Sequence, residues 1–145
     1  LRQIVVLGGE FKTCRWSVID NGKININGGS FLELRIGYWG NALINQLHFD
    51  FRKVTGQIFV TGSSTKIDEL FLSQSSTDLS LTIEDLSVNY LGIYRFRNDK
   101  SFTISNIKAL NGINESEFAI SESFLGKCEF YSIDFNHFKK LYLKM

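Results

Sequence analysis

The residues with the widest chemical range in this chain are two histidines, His48 and His137, and two cysteines, Cys14 and Cys128. Their spacing gathers none of them into a ligand set: zinc sites are built from close Cys or His pairs, and neither occurs here. The cysteines therefore read as free, partly buried thiols that pack like small hydrophobes. A serine nucleophile would stand in a GxSxG turn, which is absent. Gly8-Gly9 follows the apolar run Ile4-Val5-Val6-Leu7, but neither GxGxxG nor a Lys-Ser/Thr pair continues it into a phosphate site. Glycan cleavage needs two carboxylates on one face. The adjacent acidic pairs are Asp68-Glu69 and Glu84-Asp85, sixteen positions apart, and they read as solvated corner residues. No catalytic residue, metal ligand or cofactor is assigned.

Aromatic side chains offer a different chemistry, since a ring face can stack on a sugar ring or on a partner protein. At a spacing of about 23 residues, Asn25, His48, Phe71, Tyr94, Ala119 and Tyr142 each stand between two apolar residues. If those apolar pairs face a core, the six form an outward column at the ~4.8 Å spacing of neighbouring strands. His48, Phe71, Tyr94 and Tyr142 are thus candidate ligand-binding residues. The bland alternative is a ladder that only stabilises its sheet. Tyr38 and Trp39, within Gly37-Tyr38-Trp39-Gly40-Asn41, are further candidates because aromatics on a glycine-bounded turn tend to be exposed; Trp39 could equally cap the core. A second column, Arg35, Phe59, Thr82, Thr103 and Glu129, is mixed and reads as solvated. Asn114-Glu115-Ser116 matches the glycosylation triplet, a pattern too short to carry weight.

Short strands must position these columns. Ile24/Ile26, Leu47/Phe49, Leu70/Leu72, Phe118/Ile120 and Leu141/Leu143 show the alternation of half-buried strands, with starts at 24, 47 and 70, Ile93 continuing the step, and 118 and 141 again 23 apart. A second series interleaves: Leu34/Ile36, Ile58/Val60, Leu81/Ile83, Phe102/Ile104 and Cys128/Phe130. Two strand series at one period predict an all-β, single-stranded, right-handed parallel β-helix with coils of about 23 residues, each burying its apolar face against the next. Gly, Asn and Ser at 28–30, 62–64, 73–76, 98–101 and 111–116 read as corners. An antiparallel β-sandwich is the rival, because strands with turns every 8–12 residues also describe it. Asn21-Gly22 between WSVID and KININ is a hairpin signal that would set Ile19 opposite Ile24. Residues 1–23 are accordingly either an N-terminal cap or a first coil. Asn106 to Phe118, the best amphipathic stretch, holds Gly112 and two further asparagines and reads as a long turn.

Near the C-terminus SFLGK, CEFYS and IDFNH have Leu125, Phe130 and Phe135 at a central position five apart, with Ser123 and Cys128 as small residues two before. This stretch resembles pentapeptide repeats, although Ile133 is larger than the pattern prefers. Leu81, Leu86, Leu91 and Phe96 share the spacing but not the preceding small residue. The resemblance implies a right-handed β-helical course there. Some pentapeptide-repeat proteins mimic duplex DNA, which needs an acidic surface; a net charge of +1 argues against it here.

The 145 residues, 43% hydrophobic and 14% aromatic, suffice for one domain spanning 1–145. Sixteen basic and fifteen acidic residues are interspersed, so no nucleic-acid partner is expected. No run approaches the ~18 apolar residues of a membrane span. The chain lacks an initiating Met, and its coil pattern still runs at Leu141-Tyr142-Leu143. It is therefore expected to be a fragment of a longer solenoid, or to self-associate through its C-terminal coil at Phe135, Leu141 and Leu143. The compartment stays open. The expected function is a non-enzymatic structural or binding solenoid module that contacts a glycan or partner protein through outward aromatics. The alternative is part of a carbohydrate-active β-helix enzyme, of lyase or glycoside hydrolase type, with catalytic residues partly elsewhere.

Overall fold

Alternating apolar residues make short strands, and here each strand finds its partner one coil away. The computed structural model describes residues 2–16, 22–36, 43–74, 79–95, 102–111, 116–121, 123, 128–133 and 140–144; at positions such as 62–64, 130–131 and 140–144 only the backbone is described. Eleven strands follow in order: β1 (Arg2–Val6), β2 (Glu10–Trp16), β3 (Gly22–Ile26), β4 (Gly29–Ile36), β5 (Leu43–Asp50), β6 (Val54–Ser73), β7 (Leu79–Tyr94), β8 (Phe102–Ala109), β9 (Glu117–Ser121), β10 (Cys128–Ile133) and β11 (Lys140–Lys144). A 3₁₀ turn, Phe51–Lys53, joins β5 to β6. Among the described residues every strand pairing is parallel, which establishes the β-solenoid and excludes the sandwich.

One face of the solenoid stacks β1, β3, β5, the end of β6, the end of β7, β9 and β11. Its register carries Ile4, Ile24, Leu47, Leu70, Leu91, Phe118 and Leu141 as one row. A second face stacks β2, β4, the starts of β6 and β7, β8 and β10, with Cys14, Leu34, Ile58, Leu81, Phe102 and Cys128 in register. A short third face, not anticipated from sequence, pairs Thr65–Ile67 with Leu86–Val88 and these with Ile107–Ala109. Leu81, Leu86 and Leu91, five residues apart, therefore serve the second, third and first faces of one coil.

Inward rows from the three faces meet in one core. Ile24, Leu47, Leu70, Leu91 and Phe118 from the first face, Leu34, Ile58, Leu81 and Phe102 from the second, and Leu86 and Ile107 from the third are all buried. Burial of each such side chain contributes roughly 1.5–3 kcal/mol. Corners take backbone angles that suit short polar residues: Asp85 and Asn106 are left-handed at φ 58° and 50°, and the Asn106 amide donates to Asp85 Oδ1 at 2.6 Å. Gly56 is required by a bulge in β4 between Phe31 and Leu34, for a Cβ there would collide with the Phe31 carbonyl oxygen.

Three expectations change. The step from Leu70 leads to Leu91 rather than Ile93, which pairs with Leu72 instead. Both edges of β3 are taken in parallel, by β1 and by β5, so Ile24 pairs with Ile4 and Leu47 and not with an antiparallel hairpin arm; Ile19 and Asn21 of the expected hairpin lie outside the described residues. Asn106 to Ala109 belongs to β8, with Ile107 buried, rather than to a long turn.

Candidate functional site

Strand alternation turns the residues between the inward rows toward solvent, and on the first face these form adjacent columns. The central one runs Asn25, His48, Phe71, Gly92, Ala119 and Tyr142. Gly92 thus stands where Tyr94 was expected. Tyr94 is one outward position along the strand, in register with Ser73 and Ser121. The other flanking column contains Lys23, Gln46, Glu69, Tyr90, Glu117 and Lys140.

Around Gly92 the face is indented. A Cβ at this position would approach Tyr90 Cε1 and its hydroxyl oxygen to 2.7 Å and Phe71 Cδ2 to 2.9 Å, so the missing side chain makes room for two rings. His48, Glu69, Phe71 and Tyr90 line an open cavity of about 380 Å³. Within it His48 Nε2 lies 2.8 Å from Glu69 Oε1. The His48 ring meets Phe71 edge to face at 5.8 Å between centroids. On the far side of Phe71 the Tyr94 ring lies within 21° of parallel at 6.4 Å, and the Arg95 guanidinium carbon sits 5.1 Å from the Tyr94 centroid. Burial, then the negative charges of Glu69 and Glu117, raise the Tyr90 phenol above its ordinary range.

His48, Phe71 and Tyr94, expected as one column, do come together, although Tyr94 enters from a neighbouring column. Tyr142 continues the central column by backbone register, and its side chain is not described. Tyr38, Trp39 and Phe135 lie outside the described residues, and Leu141 and Leu143 are described by backbone alone. Glu69 and Tyr90 are the residues that sequence reasoning missed. Glu69 is no corner carboxylate: it lies within β6 and is bonded to His48. For Glu69 the signal was the coil step itself, because 46 to 69 repeats the 23-residue interval of 48 to 71, whereas Tyr90 follows Glu69 by only 21 residues and that step does not reach it.

Elsewhere several polar side chains bond one another. Asn89 donates to Asp68 Oδ1 at 3.1 Å and accepts from Asn111 at 2.8 Å, forming a polar stack along one corner. The Asn111 backbone N–H donates to the buried Ser116 hydroxyl at 2.9 Å. A second cavity of about 430 Å³ is lined by Asn27, Asp50, Arg52 and Lys53, and there the Arg52 guanidinium bonds Asp50 and lowers its pKa. The second-face column follows the expected order Arg35, Phe59, Thr82, Thr103 and Glu129, and Arg35 covers Phe59 with its guanidinium carbon 4.2 Å from the ring centroid. Among the described residues no group of three or more His, Cys, Asp or Glu side chains converges as a metal site, and no helix is long and apolar enough to cross a membrane.

No protein-family model matches this chain, and comparisons with curated proteins and with solved structures return no match. The architecture of the site is therefore the ground for its interpretation.

Proposed function

We propose that the chain is a non-enzymatic β-solenoid module that binds a glycan on its first face, at the depression formed by His48, Glu69, Phe71 and Tyr90 and extended by Tyr94. One observation carries this reading: an open cavity of about 380 Å³ joins aromatic rings to an imidazole, a carboxylate and a phenol. Its size falls within the roughly 300–1,000 Å³ of small-ligand sites. A sugar presents an apolar ring face and a rim of hydroxyls. Phe71 and Tyr94 supply flat apolar surface for the first, while Glu69, His48 and the Tyr90 hydroxyl supply acceptors and donors for the second.

The test is a glycan array followed by calorimetric titration of the best oligosaccharide. Replacing both Phe71 and Tyr94 with alanine is expected to weaken binding roughly 5- to 150-fold, given roughly 0.5–1.5 kcal/mol for each aromatic contact. Undiminished binding by the double variant, or an array on which nothing binds, removes the reading. Recognition of a partner protein by the same rings is the outcome that an empty array would bring forward. A resemblance to pentapeptide repeats over SFLGK, CEFYS and IDFNH fits a scaffold role, in which the coil displays a surface and performs no reaction.

A second reading has its own support in the His48–Glu69 contact, since an imidazole held by a carboxylate is the arrangement of a general base. The chain would then be part of a carbohydrate-active enzyme. Time-dependent shortening of a bound oligosaccharide, lost in His48→Ala, would favour it over simple binding.

A further inference from the structure

The first-face depression has aromatic surface and one acidic wall. Tyr90 stands in register between Glu69 on the preceding rung and Glu117 on the next. At ~4.8 Å per rung the two carboxylates come from strands immediately beside that of the Tyr90 ring. Their field reaches it, because both charges help to raise the Tyr90 phenol pKa after burial does. This negative potential is local, as the chain as a whole carries a net charge of +1. Of the positive groups nearby, Lys23 is two rungs from Glu69, and Arg95 lies against Tyr94 at the edge of the depression. Lys140 follows Glu117 in backbone register.

A neutral sugar would use the rings and hydrogen bonds of such a cavity and leave its field unused. A cation uses all three, since an aromatic face attracts positive charge through its quadrupole and a neighbouring carboxylate supplies the counter-charge. We infer that the cavity lined by His48, Glu69, Phe71 and Tyr90, with Glu117 beside it, takes an amino sugar, its protonated amine between Glu69 and the Tyr90 ring and its pyranose face on Phe71. This rests on the glycan-binding reading and adds to it the charge of the ligand. Gly92 is the positioning residue, since only an absent side chain lets the Tyr90 ring lie beside Phe71.

The experiment compares a β-1,4-linked glucosamine pentamer with the N-acetylglucosamine pentamer of equal length, by calorimetry on the full chain at low ionic strength. The amine form is expected to bind about tenfold more tightly. The double variant Glu69→Gln, Glu117→Gln should level the two affinities, whereas Glu84→Gln, on the second face, should leave the preference intact. If the double variant melts lower, Glu69→Gln alone carries the comparison, because its amide can still bond His48. Equal affinity for both pentamers overturns the inference and leaves the glycan reading standing. Binding of neither, beside a positive glycan array, overturns the inference alone; with an empty array both readings fall. Equally tight binding of tetralysine also overturns the inference, by showing that charge without a sugar suffices.

Discussion

His48 reaches diagonally across the first face to Glu69, Nε2 to Oε1 at 2.8 Å, although strand register places Phe71 opposite it. The diagonal leaves the Phe71 ring to meet the imidazole edge on, so one histidine touches a charge and an aromatic at once. The pair remains wet: the His48 side chain is 28% exposed and that of Glu69 40%, and exposed pairs contribute roughly 0.2–1 kcal/mol. His48→Ala should therefore lower stability by no more than about 1 kcal/mol. Oligosaccharide affinity should fall by a larger factor. Chemical denaturation beside calorimetric titration separates the two, and a loss confined to stability would make the pair structural.

Leu81 and Thr82 test the alternation on the second face. Leu81 is buried and Thr82 stands in the outward column between Phe59 and Thr103. Leu81→Asp should cost about 4 kcal/mol or more by placing an unpaired carboxylate in the core, and Thr82→Asp less than about 1 kcal/mol. Urea midpoints of the two variants, read at equal slope, provide the comparison.

How far the sequence carried is clearest at residues 24, 47, 70 and 93. Alternation identified the inward residues correctly at Ile24, Leu47, Leu70 and Phe118, and the 23-residue step holds from Ile24 through Leu47 to Leu70. The coil from Leu70 to Leu91 is two residues shorter. A two-residue slip preserves which side chains face inward, so no hydrophobic pattern reports it. Tyr94 was consequently placed where Gly92 stands. The site is hidden for a related reason: an inward pair marks the outward residue between its members, and nothing comparable marks the flanking column with Glu69 and Tyr90. The third face offers too few residues per coil for its alternation to register.

Gly92 and Tyr90 are expected to behave as a pair. Gly92→Ala should displace the Tyr90 ring and lower the melting temperature by a few degrees, about what 1 kcal/mol does in a domain of this size. Adding Tyr90→Ala removes the obstruction, so the double variant should recover part of the loss while remaining unable to bind. A double variant less stable than the sum of the two single losses would contradict the packing described.

Tyr90 also predicts an alkaline limb. Its folded pKa is raised above the ordinary value of about 10, so folding favours the neutral phenol. That contribution is fully present below pH ~10 and is lost as pH climbs through the higher folded value. Tyrosinate absorbance of the wild type minus Tyr90→Phe isolates this group among the five tyrosines. Glu117→Gln should move its titration back toward the ordinary value, and an unmoved titration would remove Glu117 from the local field.

At the polar corner Asn89 links Asp68 with Asn111. Asn89→Ala should cost about 1 kcal/mol for the lost hydrogen bonds. Asn89→Asp, which sets a second carboxylate against Asp68, should cost more at neutral pH and less in acid, where the repulsion is discharged. Melting curves at two pH values check the order.

The unequal coils have a consequence for how such a chain can change. Ile4 to Ile24 spans 20 residues, Leu70 to Leu91 spans 21 and Leu91 to Phe118 spans 27, yet all five residues share one row. The differences are absorbed between the stretches that stay in register: β6 slips by two residues between Thr61 and Thr65, and six residues are added between Ala109 and Glu117. Length is thereby uncoupled from surface. A lineage could lengthen a bend, or an engineer graft a peptide into one, without disturbing the side chains displayed on the first face. The same freedom would let a new rung carry a different ring or charge beside the old ones, so that ligand choice could drift coil by coil while the scaffold stays fixed.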